Sequence, residues 1–129
     1  MVRKMARGHV YDDPDWLTEE RLTQKMAVVT SAGARHAAIR FVTGMLDPMA
    51  SHSSFIETAR RVKDPILVVY GAATPKRSKA EMKGLASVPH VRSVELPHGK
   101  LAVHEEFADE VAEAVRSFLR RDSGGKSPY

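Results

Sequence analysis

The chain has 129 residues, 43% of them hydrophobic and 28% charged, so it can bury a moderate core. It contains no cysteine, which excludes disulfides, thiolate nucleophiles and cysteine-based zinc sites and fits a reducing intracellular compartment. The net charge of +4 comes from 20 basic residues interspersed with 16 acidic ones, and without a basic stripe this balance does not predict a nucleic-acid partner. No apolar run reaches the roughly 18–20 residues of a membrane span, and no apolar stretch follows the basic start, so the sequence predicts a soluble chain without a secretory signal.

The first half of the chain has helical patterns and no strand signal. Thr18 is a predicted N-cap for the first helix, and a second helical pattern covers residues 34–44. A third helix is predicted to begin near Ser54, because Ser54 and Glu57 have the spacing of a capping box. Residues 1–62 are therefore predicted to form a helical, cap-like segment.

The second half alternates between strand and helix patterns. Residues 66–70 and 91–96 predict two strands, and the first is apolar throughout, as in a parallel sheet covered on both faces. Ser78 is predicted to open the helix between them, and the amphipathic stretch 107–121 to form the last helix. This order predicts an α/β fold with a parallel sheet and a right-handed crossover.

Two parallel strands leave sheet edges unpaired and one or both faces poorly covered. The sequence therefore predicts an incomplete sheet within residues 63–121, followed by a flexible tail over 122–129. Such a sheet would continue either in residues absent from this chain or in a partner chain, including a second copy of itself.

The segment from Ile66 to Leu119 resembles the C-terminal part of an α/β-hydrolase. ILVVYGAATP is similar to the penultimate strand and its acid-bearing turn, and LPHGKLAVHEEFADEVAEAVRSFL is similar to the last strand's histidine loop and the closing helix. The helical first 60 residues, including FVTGMLDP, resemble a cap inserted before that strand. The resemblance implies a truncated cap and C-terminal segment whose parent protein hydrolyses an ester or similar acyl substrate with a serine nucleophile.

The nucleophile and acid positions that the resemblance implies are vacant. No G-x-S-x-G elbow occurs, and the serines lack the flanking glycines that would expose a nucleophile. These residues, better explained as caps, turns or strand positions, are Ser31, Ser53, Ser54, Ser78 and Ser93. The acid is expected at Ala73 or Thr74, and neither side chain can orient an imidazole as a carboxylate does. Glu81 is the nearest carboxylate, and its spacing from Ser78 favours helix capping.

The histidine position is altered as well. The resemblance places the catalytic histidine directly after the glycine of the last loop, whereas Lys100 follows Gly99 here. His98, just before that glycine, and His104, at the predicted start of the final helix, are the alternative candidates. Either one would need a different loop register to act as a general base.

Other site chemistry is not predicted. The six histidines form no H-E-x-x-H motif, and no glycine-rich nucleotide loop occurs, so neither a metal nor another cofactor is predicted. If the helical segment roofs a pocket, five side chains could line it, although such residues at helical spacing more commonly form core. They are Trp16, Phe41, Met45, Met49 and Phe55.

Two functions stay open at this point. The chain is either the cap and C-terminal segment of an acyl or ester hydrolase, or a pseudo-hydrolase that keeps the fold for binding or assembly. In the first case the nucleophile lies outside the chain. In both cases the sheet edge invites self-association or a partner chain.

Overall fold

The computed structural model describes residues 4, 6–34, 36, 40, 49 and 51–122, so most of the predicted helix at 34–44 and nearly all of the predicted tail lie outside the described residues. The elements in chain order are a single π-helical turn (Ala6–Val10), α1 (Glu19–Thr30), α2 (His52–Arg61), β1 (Ile66–Gly71), α3 (Lys76–Ala86), β2 (Val91–Leu96), α4 (Val103–Glu106) and α5 (Ala108–Asp122).

The two strands form a parallel sheet, which confirms the predicted α/β class and the position of both strands. The register pairs Ile66 with Val91 and Gly71 with Leu96. Helix α3 connects the strands, since parallel neighbours need a crossover. Among the described residues, no third strand pairs with either edge.

The main hydrophobic core lies between one face of the sheet and helices α2 and α3. Because side chains alternate along a strand, Val68 and Tyr70 share this face. Val88, in the turn after α3, is the most deeply buried member at 1% exposure. The cluster consists of Ile56, Ala59, Val68, Tyr70, Val88 and Val91, with Phe55, Ile66, Met82 and Leu85 packed against it.

The opposite face of the sheet packs against α5 and is covered less completely. Leu67, Val69 and Val94 on this face are only half-buried. The apolar stripe predicted for the last helix is present, yet Val115 is 39% exposed and Leu119 is 57% exposed. The sheet therefore has one well-covered face and one partly covered face.

Helix α2 begins earlier than its capping pattern predicted. Ser51 is the N-cap, and the Ser51 and Ser54 side chains form the capping box with each other's backbone N–H groups. The predicted box of Ser54 with Glu57 is wrong, because Ser51 supplies the same hydrogen bonds one turn earlier. Glu57 instead pairs with Arg60 at 3.6 Å.

Helix α3 also begins earlier than predicted. It starts at Lys76 after Pro75, and no side chain caps its first turn. Pro75 is the N-cap, and its ring offers no oxygen that could accept from the N–H groups of the first turn. The predicted capping box of Ser78 with Glu81 is therefore wrong, and both residues lie inside the helix.

The last helical region is divided in two. Phe107, with a φ of −125°, ends the single turn α4 and separates it from α5. His104 therefore lies in α4 and not at the start of the closing helix, which corrects the sequence prediction. The correction matters because α4 belongs to the loop region after β2.

The beginning of the chain packs against the loop after β2. A second hydrophobic cluster consists of Ala6, Tyr11, Leu17 and Ala102, with Val10, Trp16 and Leu22 packed against it. Residues 6–17 are called the N-terminal strap below. The strap leads into α1, whose N-cap is Thr18 as predicted, with the Thr18 side chain accepting from Arg21 N–H. Within the described ranges, no helix has both the length and the apolar character needed to cross a membrane.

Candidate functional site at the carboxyl end of the sheet

The loops that follow β1 and β2 touch each other at two glycines. A Cβ atom on Gly71 would lie 2.0 Å from the carbonyl oxygen of Gly99, so only glycine permits this approach. Gly99 has a φ of +88°, in the left-handed region that favours glycine. Ala73 N–H donates to the Gly99 carbonyl at 3.0 Å. The two loops singled out in the sequence are thus neighbours in space.

The acid position holds a hydroxyl that serves the backbone. Thr74 is 6% exposed, and its Oγ1 donates to the Lys100 carbonyl at 3.2 Å. Ala73 is exposed and has no polar side-chain atom. Thr74 therefore ties the first loop to the second, and no carboxylate occupies either position.

Lys100, which stands where the histidine was expected, binds the strap. Its Nζ donates to the Arg7 carbonyl at 2.8 Å and to the Tyr11 carbonyl at 3.1 Å. Each bond joins a charged donor to a peptide oxygen, which makes it stronger than a bond between neutral groups. The lysine therefore closes a turn of the strap over the loop.

His98 is held by a carboxylate that the sequence analysis did not identify. Its Nε2 lies 2.9 Å from Glu110 Oε1 and 3.0 Å from Oε2, and its ring lies 4.1 Å from the Phe107 ring. A carboxylate on one ring nitrogen orients an imidazole, as in general-base catalysis. Among the described residues, however, no hydroxyl hydrogen-bonds to His98. Glu110 lies in the first turn of α5, so its role could be inferred only once the start of that helix was known.

His104, the other candidate, points into solvent. Its side chain is 67% exposed, and its Nε2 lies 3.8 Å from Glu105 Oε1. That distance is too long for a hydrogen bond. His98 and His104 are therefore not brought together in one hydrogen-bonded site.

Hydrogen bonds from backbone N–H groups to carboxylates hold the strap against the loop after β2. Asp12 N–H and Asp13 N–H both donate to the Glu106 carboxylate, at 2.9–3.0 Å. In return, Gly99 N–H donates to Asp12 Oδ2 at 3.1 Å. Ala102 N–H also donates to the Val10 carbonyl of the strap at 3.0 Å. The sequence did not predict this contact between strap and loop. These partners are 87 to 94 residues apart along the chain, so no local pattern marks them.

Tyr11, Lys25 and Glu105 form a charged cluster beside the strap. Lys25 Nζ donates to both Glu105 oxygens at 2.8–2.9 Å, and Tyr11 Oη donates to Glu105 Oε2 at 3.1 Å. Partial burial raises the pKa of Glu105, but the hydrogen bonds from Lys25 and Tyr11 outweigh it and leave that pKa lowered. Burial raises the pKa of the Tyr11 phenol, and the bond to Glu105 raises the pKa of Lys25. The cluster thus favours the ionised Lys25–Glu105 pair.

The side chains predicted as pocket lining or core are packed where the structure describes them. Trp16 stacks on Tyr11 at 4.4 Å, with the Arg21 guanidinium 4.1 Å from its ring. Phe55 packs on the main core, and Met49 Sδ accepts a weak bond from Thr58. The remaining two predicted lining residues, Phe41 and Met45, lie outside the described residues.

The serines and the alternative acid also have structural roles. Ser31 is the C-cap of α1, and Ser53 Oγ contacts Ser51 Oγ at 2.9 Å beside the N-cap of α2. Glu81 contacts His52 Nδ1 and so joins α3 to α2. Ser93 is exposed on β2, which is not a strand-to-helix elbow.

The described site holds neither a metal cluster nor a complete triad. In the described residues, no three His, Asp or Glu side chains come together as metal ligands. The arrangement binds the chain's own strap through the Glu106 and Asp12 carboxylates and the Lys100 ammonium group. No known protein family, curated protein or solved structure matches the chain significantly.

Proposed function

We propose that the chain supplies the last β-α-β-α unit of an α/β-hydrolase-like protein and acts as a binding or assembly module, not as a self-sufficient hydrolase. The observation that carries this proposal is the occupation of the two expected catalytic positions by structural hydrogen bonds. Thr74 and Lys100 bind backbone carbonyls at 3.2 Å and 2.8 Å. Neither can perform the part of the acid or of the histidine in a triad.

The composition of the two strands supports assembly at one particular edge. β1 reads ILVVYG and has no charged side chain, as expected of a strand inside a sheet. β2 carries Arg92, Ser93 and Glu95, all exposed, as expected of a strand at a protected edge. The β2 edge therefore carries the charged side chains that discourage pairing with another strand, and the β1 edge carries none.

The alternation of backbone hydrogen bonds along β1 shows which of its N–H and C=O groups face the edge without a partner strand. Ile66 N–H and Ala72 N–H donate to carbonyls of β2 or the residue before it. Backbone N–H and C=O groups alternate sides along a strand. Those of Leu67 and Val69 therefore face away from β2. An added strand, from a second copy or from another segment of the same assembly, would pair with these groups.

The test uses proline, which removes one N–H donor without charge. Val69→Pro removes an N–H that faces the open edge, so β1–β2 pairing should persist while assembly is lost. Ser93→Pro is the matched control, because the Ser93 N–H faces the outer edge of β2. Light scattering coupled to gel filtration should show a complex for the natural protein and the control, and a smaller species for Val69→Pro.

Assembly at β1 requires the natural protein to form a complex in solution. A monomer that melts cooperatively, with Val69→Pro and Ser93→Pro indistinguishable in mass, would contradict assembly at β1. Circular dichroism of both variants separates loss of assembly from loss of folding.

A second candidate function rests on the His98–Glu110 pair at 2.9 Å. If a serine nucleophile is supplied from outside the described residues, His98 could serve as its general base and the protein would hydrolyse acyl esters. Turnover of p-nitrophenyl acetate would then fall at least tenfold in His98→Gln and less in Glu110→Gln, while His104→Gln would stay unchanged. Absence of turnover, or equal rates in all of these proteins, would remove this candidate.

A further inference from the structure

A groove runs along the partly covered face of the sheet, between β2 and α5. Its volume is about 590 Å³, within the range of small-molecule sites. Its apolar lining includes Leu67 from β1, Val94 from β2 and Phe118 from α5. Leu67 is the one lining residue from β1, and all the others belong to β2 and α5, away from the unpaired edge of β1.

Two arginines line the same groove, and neither forms an ion pair with a side chain that the structure describes. Arg92 lies on β2 and Arg121 near the end of α5. The Arg92 guanidinium lies 5.7 Å from the ring centroid of Phe118, a contact that leaves its charge uncompensated. Among the described side chains, neither arginine has a carboxylate within ion-pair distance.

The carboxylates that line the groove are engaged by other bases. Glu113 accepts from Arg116 at 3.1 Å and from Arg120 at 2.8 Å. Glu110 lies 2.9 Å from His98 Nε2. The charges left without a partner in the groove are therefore positive.

We propose that this groove binds a small amphipathic carboxylate, with its hydrocarbon part on Leu67, Val94 and Phe118 and its carboxylate between Arg92 and Arg121. Guanidinium groups match carboxylates because they offer parallel N–H donors in a fixed plane. The apolar lining favours burial of a hydrocarbon chain. Charge complementarity selects an anion over a neutral or cationic amphiphile of the same length.

The test measures binding of decanoate, decanol and decyltrimethylammonium to the intact protein by calorimetry, below their micellar concentrations. Decanoate should bind saturably at one site, and the other two ligands at least fivefold more weakly. Arg92→Gln and Arg121→Gln should each weaken decanoate binding about three- to fivefold, as expected for one partly exposed ion pair. Arg77→Gln removes an equal charge from exposed α3 and should change nothing.

Three outcomes would overturn the proposal. They are no saturable decanoate binding, equal binding of all three amphiphiles, and equal effects of Arg77→Gln and the groove variants. A concentration-dependent dimer that buries the groove and dissociates in Arg92→Gln would assign the surface to self-association instead.

Discussion

Two regions of this molecule are held together by different forces. Under the sheet, Val68, Val88 and Val91 pack with the apolar faces of α2 and α3, and burial of hydrocarbon stabilises the contact. At the carboxyl end a smaller apolar cluster is joined by charged hydrogen bonds, in which Lys100 and Glu106 bind backbone groups of the strap. The apolar region therefore tolerates substitutions that keep pattern and volume, whereas the strap contacts need particular polar partners from distant parts of the chain.

The largest effect is expected where the two loops meet. In Gly71→Ala, the new methyl group would overlap the Gly99 carbonyl, and backbone cannot move aside as a flexible side chain can. We expect a loss of about 3 kcal/mol or more in the free energy of unfolding, measured by urea denaturation. Gly8→Ala is the matched control, since no atom lies within 4 Å of its Cβ, and it should change stability by less than about 1 kcal/mol. Equal stability of the two variants would show that the loops do not meet as described.

The next effect tests the apolar region. Val88→Ala removes two methyl groups from a side chain that is 1% exposed and should cost about 2 kcal/mol of stability. Val28→Ala makes the same change at a position that is 71% exposed, and it should cost less than about 0.5 kcal/mol. Similar midpoints of urea unfolding for the two variants would place the core elsewhere.

The polar region should respond locally. Lys100→Met keeps the hydrocarbon stem but removes the bonds to Arg7 and Tyr11, at a cost of about 1 kcal/mol. Amide hydrogen exchange should accelerate at Ala102, whose N–H donates to Val10 of the strap, and stay slow in β1. Lys83→Met, on exposed α3, is the control. Faster exchange throughout β1 would mean that the two regions unfold as one unit.

The smallest effect is the acid dependence of the Lys25–Glu105 pair. The pKa of Glu105 is lowered in the folded protein, so the pair stabilises the fold above the usual carboxyl value of 4.5 and this contribution is lost as the pH falls through the lowered pKa. Because both side chains are partly exposed, Glu105→Gln should cost no more than about 1 kcal/mol at pH 7. The difference in urea midpoint between wild type and Glu105→Gln should vanish in strong acid. A difference that persists there would assign the effect to packing, and Asp64→Asn, at an exposed position before β1, should show none.

The sequence predicted the backbone of the second half well and the capping details poorly. The strand at 66–70 was evident as a continuous apolar run and the strand at 91–96 from its alternation, and each is followed by glycine or proline. The starts of α2 and α3 were misplaced because a serine followed three residues later by a glutamate is a common spacing. It carries no information on whether an earlier residue already caps the helix.

The candidate site was predictable only in its outline. The positions of Thr74 and Lys100 relative to their strands indicated which loops would meet, because parallel strands end at the same edge of a sheet. Their bonds to the strap and to each other were not predictable, because they depend on how a distant segment folds back. Glu110, the partner of His98, was missed because the break at Phe107, which sets the start of α5, was not predicted.

Local sequence pattern was enough to predict the α/β class, the two strands and the apolar face of the last helix. It was also enough to show that the sequence has no nucleophile elbow. Three features are evident only in the tertiary structure. The N-terminal strap covers the loops, Lys100 holds the strap, and the face of β2 beside α5 stays partly open. Those features arise from side chains and peptide groups far apart in the chain. Their pairing depends on the arrangement of the sheet and helices in space and leaves no local sequence pattern.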